Sequence, residues 1–337
     1  MYTLAEVAHH LDGVLHGNPE QPIQGIASLS RARKTDLSYF DHPFLLEMLT
    51  KTKAGAVLLT ENHIAYSPAN SIVVPDPLLS MSIAATLFSA PVVSPAGIHP
   101  TAFVSPSAQL GEGVTIGANT TVEEGVVLGD GVVIGANCVL EANVFIDFKT
   151  VIQHGVHVYD GTKLGREVIV ESGVILGASP FNGIKQQGRW LSGPAVGGTW
   201  ISDHVHIGAN SVITRGALGD TLIGSGVRID NLVMIAHDVI IGANSAIAGC
   251  AVIGANTQLG AHCIIGGASC VAPHVHLTDD VVITGMSTVN KSLTKPGVYS
   301  SGIMVSEHRQ WRRNVARFRR LDDYITRLIK LEQVKEV

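Results

Sequence analysis

The sequence predicts a mainly β chain: a parallel β-helix built from six-residue repeats, with a small α/β domain before it and an α-helical extension after it. Three observations carry that expectation. An Ile, Val or Leu returns every six positions through most of the chain. Glycine is abundant, at 36 of 337 residues, while only 5% of a chain that is 46% hydrophobic is aromatic. Residues 1–90 and 306–335 lack the six-residue phase and carry other periodicities.

The domain order follows from these shifts: 1–96 as the α/β domain, 97–300 as the β-helix and 301–337 as the helical extension. In the first, Thr3 and Glu6 have the spacing of a capping box, which opens a short helix. The stretches 54–60 (AGAVLLT) and 70–76 (NSIVVPD) predict strands, and 77–89, with Pro77 at its start, predicts a helix. Pro91, Pro95, Pro100 and Pro106 mark the linker and the entry to the first coil.

From Ile98 to Leu176, 14 of 14 positions in phase are Ile, Val or Leu; the phase returns at Ile201, Ile207 and Ile213, and holds for 12 of 12 from Ile223 to Val289. A period of six is neither helical nor a heptad and fits a hexapeptide β-solenoid. Three short strands close one coil, the recurrent residue points inward, and coils stack at about 4.8 Å. The 29 in-phase positions give about ten coils. Gly and Asn at the corners supply positive φ. A core this thin has little room for rings, which accounts for the aromatic scarcity.

The phase breaks twice. Residues 177–200, with Phe181, Trp190 and Trp200, predict a projecting loop, and 214–221 is a shorter slip. Segments that leave a rigid scaffold are where ligand contacts concentrate; a neutral insertion is the alternative. Beyond the repeat, Trp311, Val315, Phe318, Ile325, Leu328 and Leu331 trace a helical stripe. Residues 306–330 hold eight Arg or Lys against three acids, whereas 1–305 holds 14 against 23. This basic segment predicts a dock for an acidic partner, or a solvated helix face.

Composition excludes several classes. With 15% charged residues and a net charge of −5, the chain is neither a disordered polymer nor, given its acidic body, a nucleic-acid binder. No apolar run of 18 residues suggests a membrane span, and the N-terminus has no signal-peptide pattern, so a cytoplasmic protein is expected. Cys138, Cys250, Cys263 and Cys270 form no C-x-x-C pair and are expected to be reduced, buried thiols rather than metal ligands.

No G-x-S-x-G, H-E-x-x-H or P-loop is present, so histidines are the candidate bases. His237, two residues after in-phase Ile235 and soon after the second slip, is placed at a corner where an imidazole can accept a proton. His274 lies 37 residues on, two 18-residue coils plus one, and so projects from nearly the same side about 10 Å along the axis. Hydrogen-bonded turn histidines are the bland alternative, and His276 is the weaker candidate.

The array containing IAHD (235–238), with RGALGDTLIGSGVRIDNLVMIAHDVIIG, IIGGAS and TGMSTVNKSLTKPGVYSSGI, resembles the left-handed β-helix acyltransferases. Together with the N-terminal domain it is similar to the UDP-3-O-(3-hydroxyacyl)glucosamine N-acyltransferases of lipid A biosynthesis, over nearly the whole chain. The resemblance alone implies the left hand, which departs from the usual crossover rule. It implies a homotrimer with sites in grooves between neighbouring β-helices. It also implies transfer of a 3-hydroxyacyl chain from acyl carrier protein to the 2-amino group of a UDP-linked glucosamine. No cofactor is expected, the acyl-4'-phosphopantetheine arriving as co-substrate. His237 is then the base, Asp230 its orienting carboxylate, the Ala255 N–H the oxyanion donor and His274 an assistant at the substrate phosphate or oxyanion. Asn231 falls in the substrate site, and Arg309, Arg312, Arg313 and Arg317 in the carrier-protein dock.

The family's uridine motif F-x-x-N-P-K-Y reads here Tyr39-Phe40-Asp41-His42-Pro43-Phe44-Leu45. Tyr39 keeps the first ring; His42 replaces the amide and Leu45 the second ring. GADGFG reads Gly177-Ala178-Ser179-Pro180-Phe181-Asn182, and D-R-G-A-L reads Thr214-Arg215-Gly216-Ala217-Leu218. These departures point to a divergent paralogue or another nucleotide sugar. A solenoid that only scaffolds partners is the remaining alternative.

Overall fold

The computed structural model describes residues 1–88, 97–302 and 306–335. The chain divides into two compact units, Met1–Val93 and Ser94–Val337. The predicted linker prolines Pro91 and Pro95 lie outside the described residues.

The first unit is a five-stranded sheet. Strand Val14–His16 runs antiparallel to Asn70–Val73; Ala56–Leu59, Asp36–Tyr39 and Gly25–Ile26 follow in parallel. Ala56–Leu59 is buried along its whole length because both faces of the sheet are covered. Ala56 and Leu58 pack with Leu4 and Val7 of helix α1 (Leu4–His10) and Met81 and Ala84 of α3 (Pro77–Phe88). Val57 and Leu59 pack on the other side with Leu49 of α2 (Leu46–Lys51). The capping box at Thr3 and Glu6 forms as the spacing requires.

The second unit is a left-handed parallel β-helix with three faces of 9, 11 and 10 strands. Away from the phase breaks each strand pairs with the one 18 residues on, as Thr121–Val122 does with Val139–Leu140. The in-phase residues from Ile116 onward are buried, whereas Ile98, in the open first coil, is 49% exposed.

A second inward column lies two residues before each in-phase residue. It holds Val126, Val132, Cys138, Thr150, Val227, Ser245, Thr257 and Cys263, all buried. Only small side chains fit beside the larger neighbour. Most of their hydroxyls are satisfied by the main chain, as where Thr150 Oγ1 donates to Gly165 O (2.7 Å) and accepts from Val168 N (3.0 Å), whereas those of Thr162 and Thr199 in the same column have no partner among the described residues. Buried Cys138 and Cys263 belong to this column, and burial pushes both thiols up. The expectation of four buried cysteines is corrected. Cys250 and Cys270 are exposed, one on a positive-φ turn and the other pointing outward from its strand.

Gly and Asn supply positive φ at the corners as expected, but not every glycine of the repeat does so. Apart from Gly177 (φ 82°) at the first phase break, the glycine directly after an inward residue does not sit at positive φ; it lies against the next coil. A Cβ on Gly117 would come 2.6 Å from Ala136 N. Positive φ falls three residues after the inward one, at Asn119 (56°), Gly125 (68°) and Asn137 (57°).

Both phase breaks leave at a corner, and the faces re-form behind them. Leu164 pairs with Ile201, 37 residues on, and Ile201 with Ile223, 22 on, before the interval of 18 resumes. The longer excursion carries an exposed hairpin, Ile184–Gln186 with Arg189–Leu191. The C-terminal stripe is two helices rather than one, α4 (His308–Phe318) and α5 (Leu321–Lys335). Among the described residues no helix is long and apolar enough to cross a membrane.

Candidate active site

His237 follows the strand Met234–Ile235 at a corner of the β-helix. Its Nδ1 lies 2.6 Å from Asp238 Oδ2, and the two side chains are only 13% and 14% exposed. Asp238 also accepts main-chain N–H groups from Ala217 (2.9 Å), Leu218 (3.3 Å) and Gly219 (2.7 Å), all in the second phase break. Burial works to raise the Asp238 carboxyl. The hydrogen bonds from His237, Ala217, Gly219 and Leu218 outweigh it and hold the group below the usual carboxylate range. An ionised carboxylate only accepts, so Nδ1 carries the proton and Nε2 is the ring atom with a free lone pair. The arrangement is that of a base oriented by a neighbouring carboxylate.

Asp238 is the residue sequence reasoning missed, although it closes the IAHD stretch. Asp230, expected in that role, is engaged elsewhere in the chain. Its Oδ1 accepts from Asn231 N (2.8 Å) and Nδ2 (3.0 Å), and its Oδ2 from Gly249 N (2.9 Å). Asn231 Oδ1 accepts from Ala209 N (2.7 Å). Asp230 and Asn231 line a cavity of about 490 Å³ with Glu171, His206 and Arg228. Neither His237 nor His274 lines that cavity. Along the chain, the strand carrying Met234 and Ile235 separates the two groups. The predicted set is therefore split between the two edges of one face.

On the His237 edge the coils are laced together. The carbonyl of His237 accepts from Asn256 N (3.0 Å), and that of Ala255 from His274 N (2.9 Å). Asp238, Asn256 and His274 take equivalent positive-φ positions, at 58°, 57° and 62°. His274 is exposed, two coils beyond the carboxylate's position. Ala261 N donates to Asp279 Oδ1 of the next coil at 2.8 Å. The equivalent partner of Ala255 is Pro273, which offers no side-chain acceptor, and the Ala255 N–H has no acceptor among the described residues. A main-chain donor is thus open one coil from the imidazole. His276 faces outward from its strand.

In the first unit, Tyr39 is half-buried against the core. His42 Nδ1 accepts from Phe44 N (3.3 Å), and its ring stacks on Phe44 at 4.9 Å. Leu45 packs into the second core cluster. The exposed ring of this stretch is therefore Phe44, one position before the ring the motif would supply. On α4, Arg309, Arg312, Arg313 and Arg317 are all exposed and form no ion pair among the described residues.

The family model for UDP-3-O-(3-hydroxymyristoyl) glucosamine N-acyltransferase matches residues 20–87, the segment that holds the altered motif. The bacterial transferase hexapeptide model matches 107–142 and 220–255, the second of which holds His237 and Asp238. A UDP-3-O-acylglucosamine N-acyltransferase of Coxiella burnetii (strain RSA 493 / Nine Mile phase I) is 39% identical, over 99% of this chain and 98% of its own. One of Pseudomonas aeruginosa (strain UCBPP-PA14) is 43% identical, over 98% and 94%. Among solved structures, an Arabidopsis UDP-N-acetylglucosamine acyltransferase aligns over 65% of this chain and 77% of its own, at 23% identity and a TM-score of 0.48.

Proposed function

The chain belongs to the UDP-3-O-acylglucosamine N-acyltransferase family, and from that membership we propose how its residues divide the work of acyl transfer. It is an acyltransferase of lipid A synthesis. The donor in this reading is a 3-hydroxyacyl thioester on acyl carrier protein. The acceptor is the 2-amino group of UDP-3-O-(3-hydroxyacyl)glucosamine.

The amine nitrogen attacks the thioester carbonyl while His237 Nε2 takes a proton from it. The charge that develops on the carbonyl oxygen is met by the Ala255 N–H. The C–S bond then breaks, the imidazolium returns its proton to the departing thiolate, and an amide and a free pantetheine thiol remain. Asp238 keeps Nδ1 protonated throughout, and His274 assists at the substrate phosphate or the oxyanion. The observation that carries this reading is the oriented His237 with an unclaimed N–H one coil away.

The split of the predicted set supports a homotrimer. A neighbouring copy related by rotation presents its Asp230 and Asn231 edge to the His237 edge of the first. Tyr39 and His42 bind the uridine end, and the arginines of α4 receive the acidic carrier protein. The setting is cytoplasmic. A second reading, a shifted nucleotide-sugar preference, is favoured by the exposed Phe44 ring at the altered motif. Mass spectrometry of the products formed from mixed acyl donors and a panel of UDP-sugar acceptors tests both. An N-linked acyl product on UDP-glucosamine supports the first; acylation of another sugar alone supports the second; no transfer overturns both.

A further inference from the structure

The two phase breaks, 177–200 and 214–221, are not independent loops. Val196 N donates to Ala217 O (3.1 Å), Gly216 N to Gly198 O (3.1 Å) and Gly198 N to Asp220 Oδ1 (2.6 Å). At the centre of this lattice lies Arg215, whose side chain is only 18% exposed. Its Nη1 meets Asp160 Oδ1 at 2.8 Å, its Nε donates to Gly197 O at 3.0 Å, and its main-chain N donates to Ala178 O at 3.0 Å. One residue therefore ties both excursions to the coil beneath. The residues that follow it, Ala217, Leu218 and Gly219, supply the three N–H groups that converge on Asp238.

We propose that Arg215 is a positioning residue for the base. Anchored on Asp160 and Gly197, it holds loop 214–221 where its N–H groups fix Asp238, and Asp238 fixes the tautomer and orientation of His237. The physical case is one of over-determination. A carboxylate that accepts three main-chain donors and an imidazole cannot rotate about χ1 or χ2 without breaking several bonds at once. The three donors lie on a short segment whose only buried apolar residue is Ala217, with one methyl to anchor it; Leu218 is 75% exposed. Its place is set by the hydrogen bonds at its two ends, and Arg215 supplies the largest share of those at the first end. A largely buried guanidinium paired with a carboxylate and a carbonyl is a stiff support, because its planar fork fixes direction as well as distance.

This inference rests on His237 being the base, and the test separates the two claims. In Arg215→Met, kcat should fall on the order of tenfold to 10²-fold, the cost of a base held slightly out of place, with KM for the UDP-sugar acceptor little changed. Asp160→Asn should fall less, since Gly197 still receives Nε, and Arg215→Lys should recover part of the loss. The downfield proton resonance of the His237 Nδ1–H, expected from so short a bond to a carboxylate, should be present in the wild-type protein and weakened in Arg215→Met.

A double-mutant cycle then locates the effect. In an Asp238→Asn background, Arg215→Met should cost little more, because the route through Asp238 is already cut. Full additive loss, or an Arg215→Met protein that keeps both kcat and the resonance, overturns the proposal. Asp160→Asn serves the same comparison should Arg215→Met fold poorly. If the wild-type protein transfers no acyl group, the function reading fails, while the resonance arm still decides whether Arg215 positions His237.

Discussion

Asp238 and His237 are adjacent in sequence and bonded at 2.6 Å, and the bond is made by a carboxylate whose remaining capacity is taken up by main-chain N–H groups. Neighbours along a chain seldom face each other so directly. Here the positive φ of Asp238 (58°) turns its side chain back toward the imidazole. The pair itself lies within one corner, while the donors that fix its carboxylate come from the second phase break.

His237→Ala should abolish transfer and leave the coils intact, because the imidazole fills no core position. A drop of roughly 10²- to 10⁴-fold is the usual worth of a general base. Steady-state rates beside an unchanged thermal midpoint check this, and near-normal turnover would remove His237 from the mechanism.

Asp238 makes a pH signature. Its folded-state value is depressed, so its contribution to stability is present above the ordinary aspartate value of about 3.9 and is lost as pH falls through the lower folded value. Wild type should therefore be more stable than Asp238→Asn near neutrality, and the two should converge in acid. Denaturation midpoints across roughly pH 2–7 test this, and a gap that stays constant over that range would contradict it.

The division of the site between two edges predicts complementation. In the proposed trimer, His237→Ala subunits and Asp230→Ala subunits should each be inactive alone. Randomly mixed trimers should recover activity in about a quarter of their grooves, those pairing an intact histidine edge with an intact aspartate edge. Mixed trimers as inactive as the parents would mean that each chain carries its whole site.

Two glycines with different reasons should respond differently. Gly117→Ala forces a Cβ against Ala136 N and should cost about 1–3 kcal/mol. Gly155, at φ 67° with nothing within 4 Å of where a Cβ would stand, should accept Asn within about 0.5 kcal/mol. Thermal or denaturant midpoints of the two variants decide it.

Charge reversal at Arg312, Arg313 and Arg317 should raise KM for the acyl carrier protein by about tenfold at low ionic strength and flatten its salt dependence. Transfer from a small acyl-pantetheine donor should be unaffected. Equal loss with both donors would place these arginines outside the dock.

Much of this architecture was legible in the chain. The Ile98–Leu176 phase is visible because one residue in six is large, branched and inward, a pattern no helix shares. The second inward column was not, because Val132, Cys138, Thr150 and Ser245 look unrelated until their common small volume and their main-chain partners are seen. His237 could be singled out by its corner and its nearness to a phase break. Asp238 could not be preferred over Asp230, since both carboxylates flank the same stretch and only the turn geometry decides which one faces the ring. The motif does not mark Phe44 for a like reason: a motif fixes positions along the chain, whereas exposure is set by which neighbour, here Leu45, the core claims.

Register intervals of 37 and 22 that return to 18 have an engineering consequence. A corner of this helix acts as a port through which chain can be let out and taken back without disturbing the stack, so length at a corner is free as far as the coils are concerned. It is not free for the reaction. Because Arg215 and Gly216 knot the two excursions together, and the second grips Asp238, lengthening or trimming either one is transmitted to the imidazole. A designer who grafts a new loop at 177–200 would be retuning a base that lies some two coils away in sequence, and would need to redesign 214–221 with it.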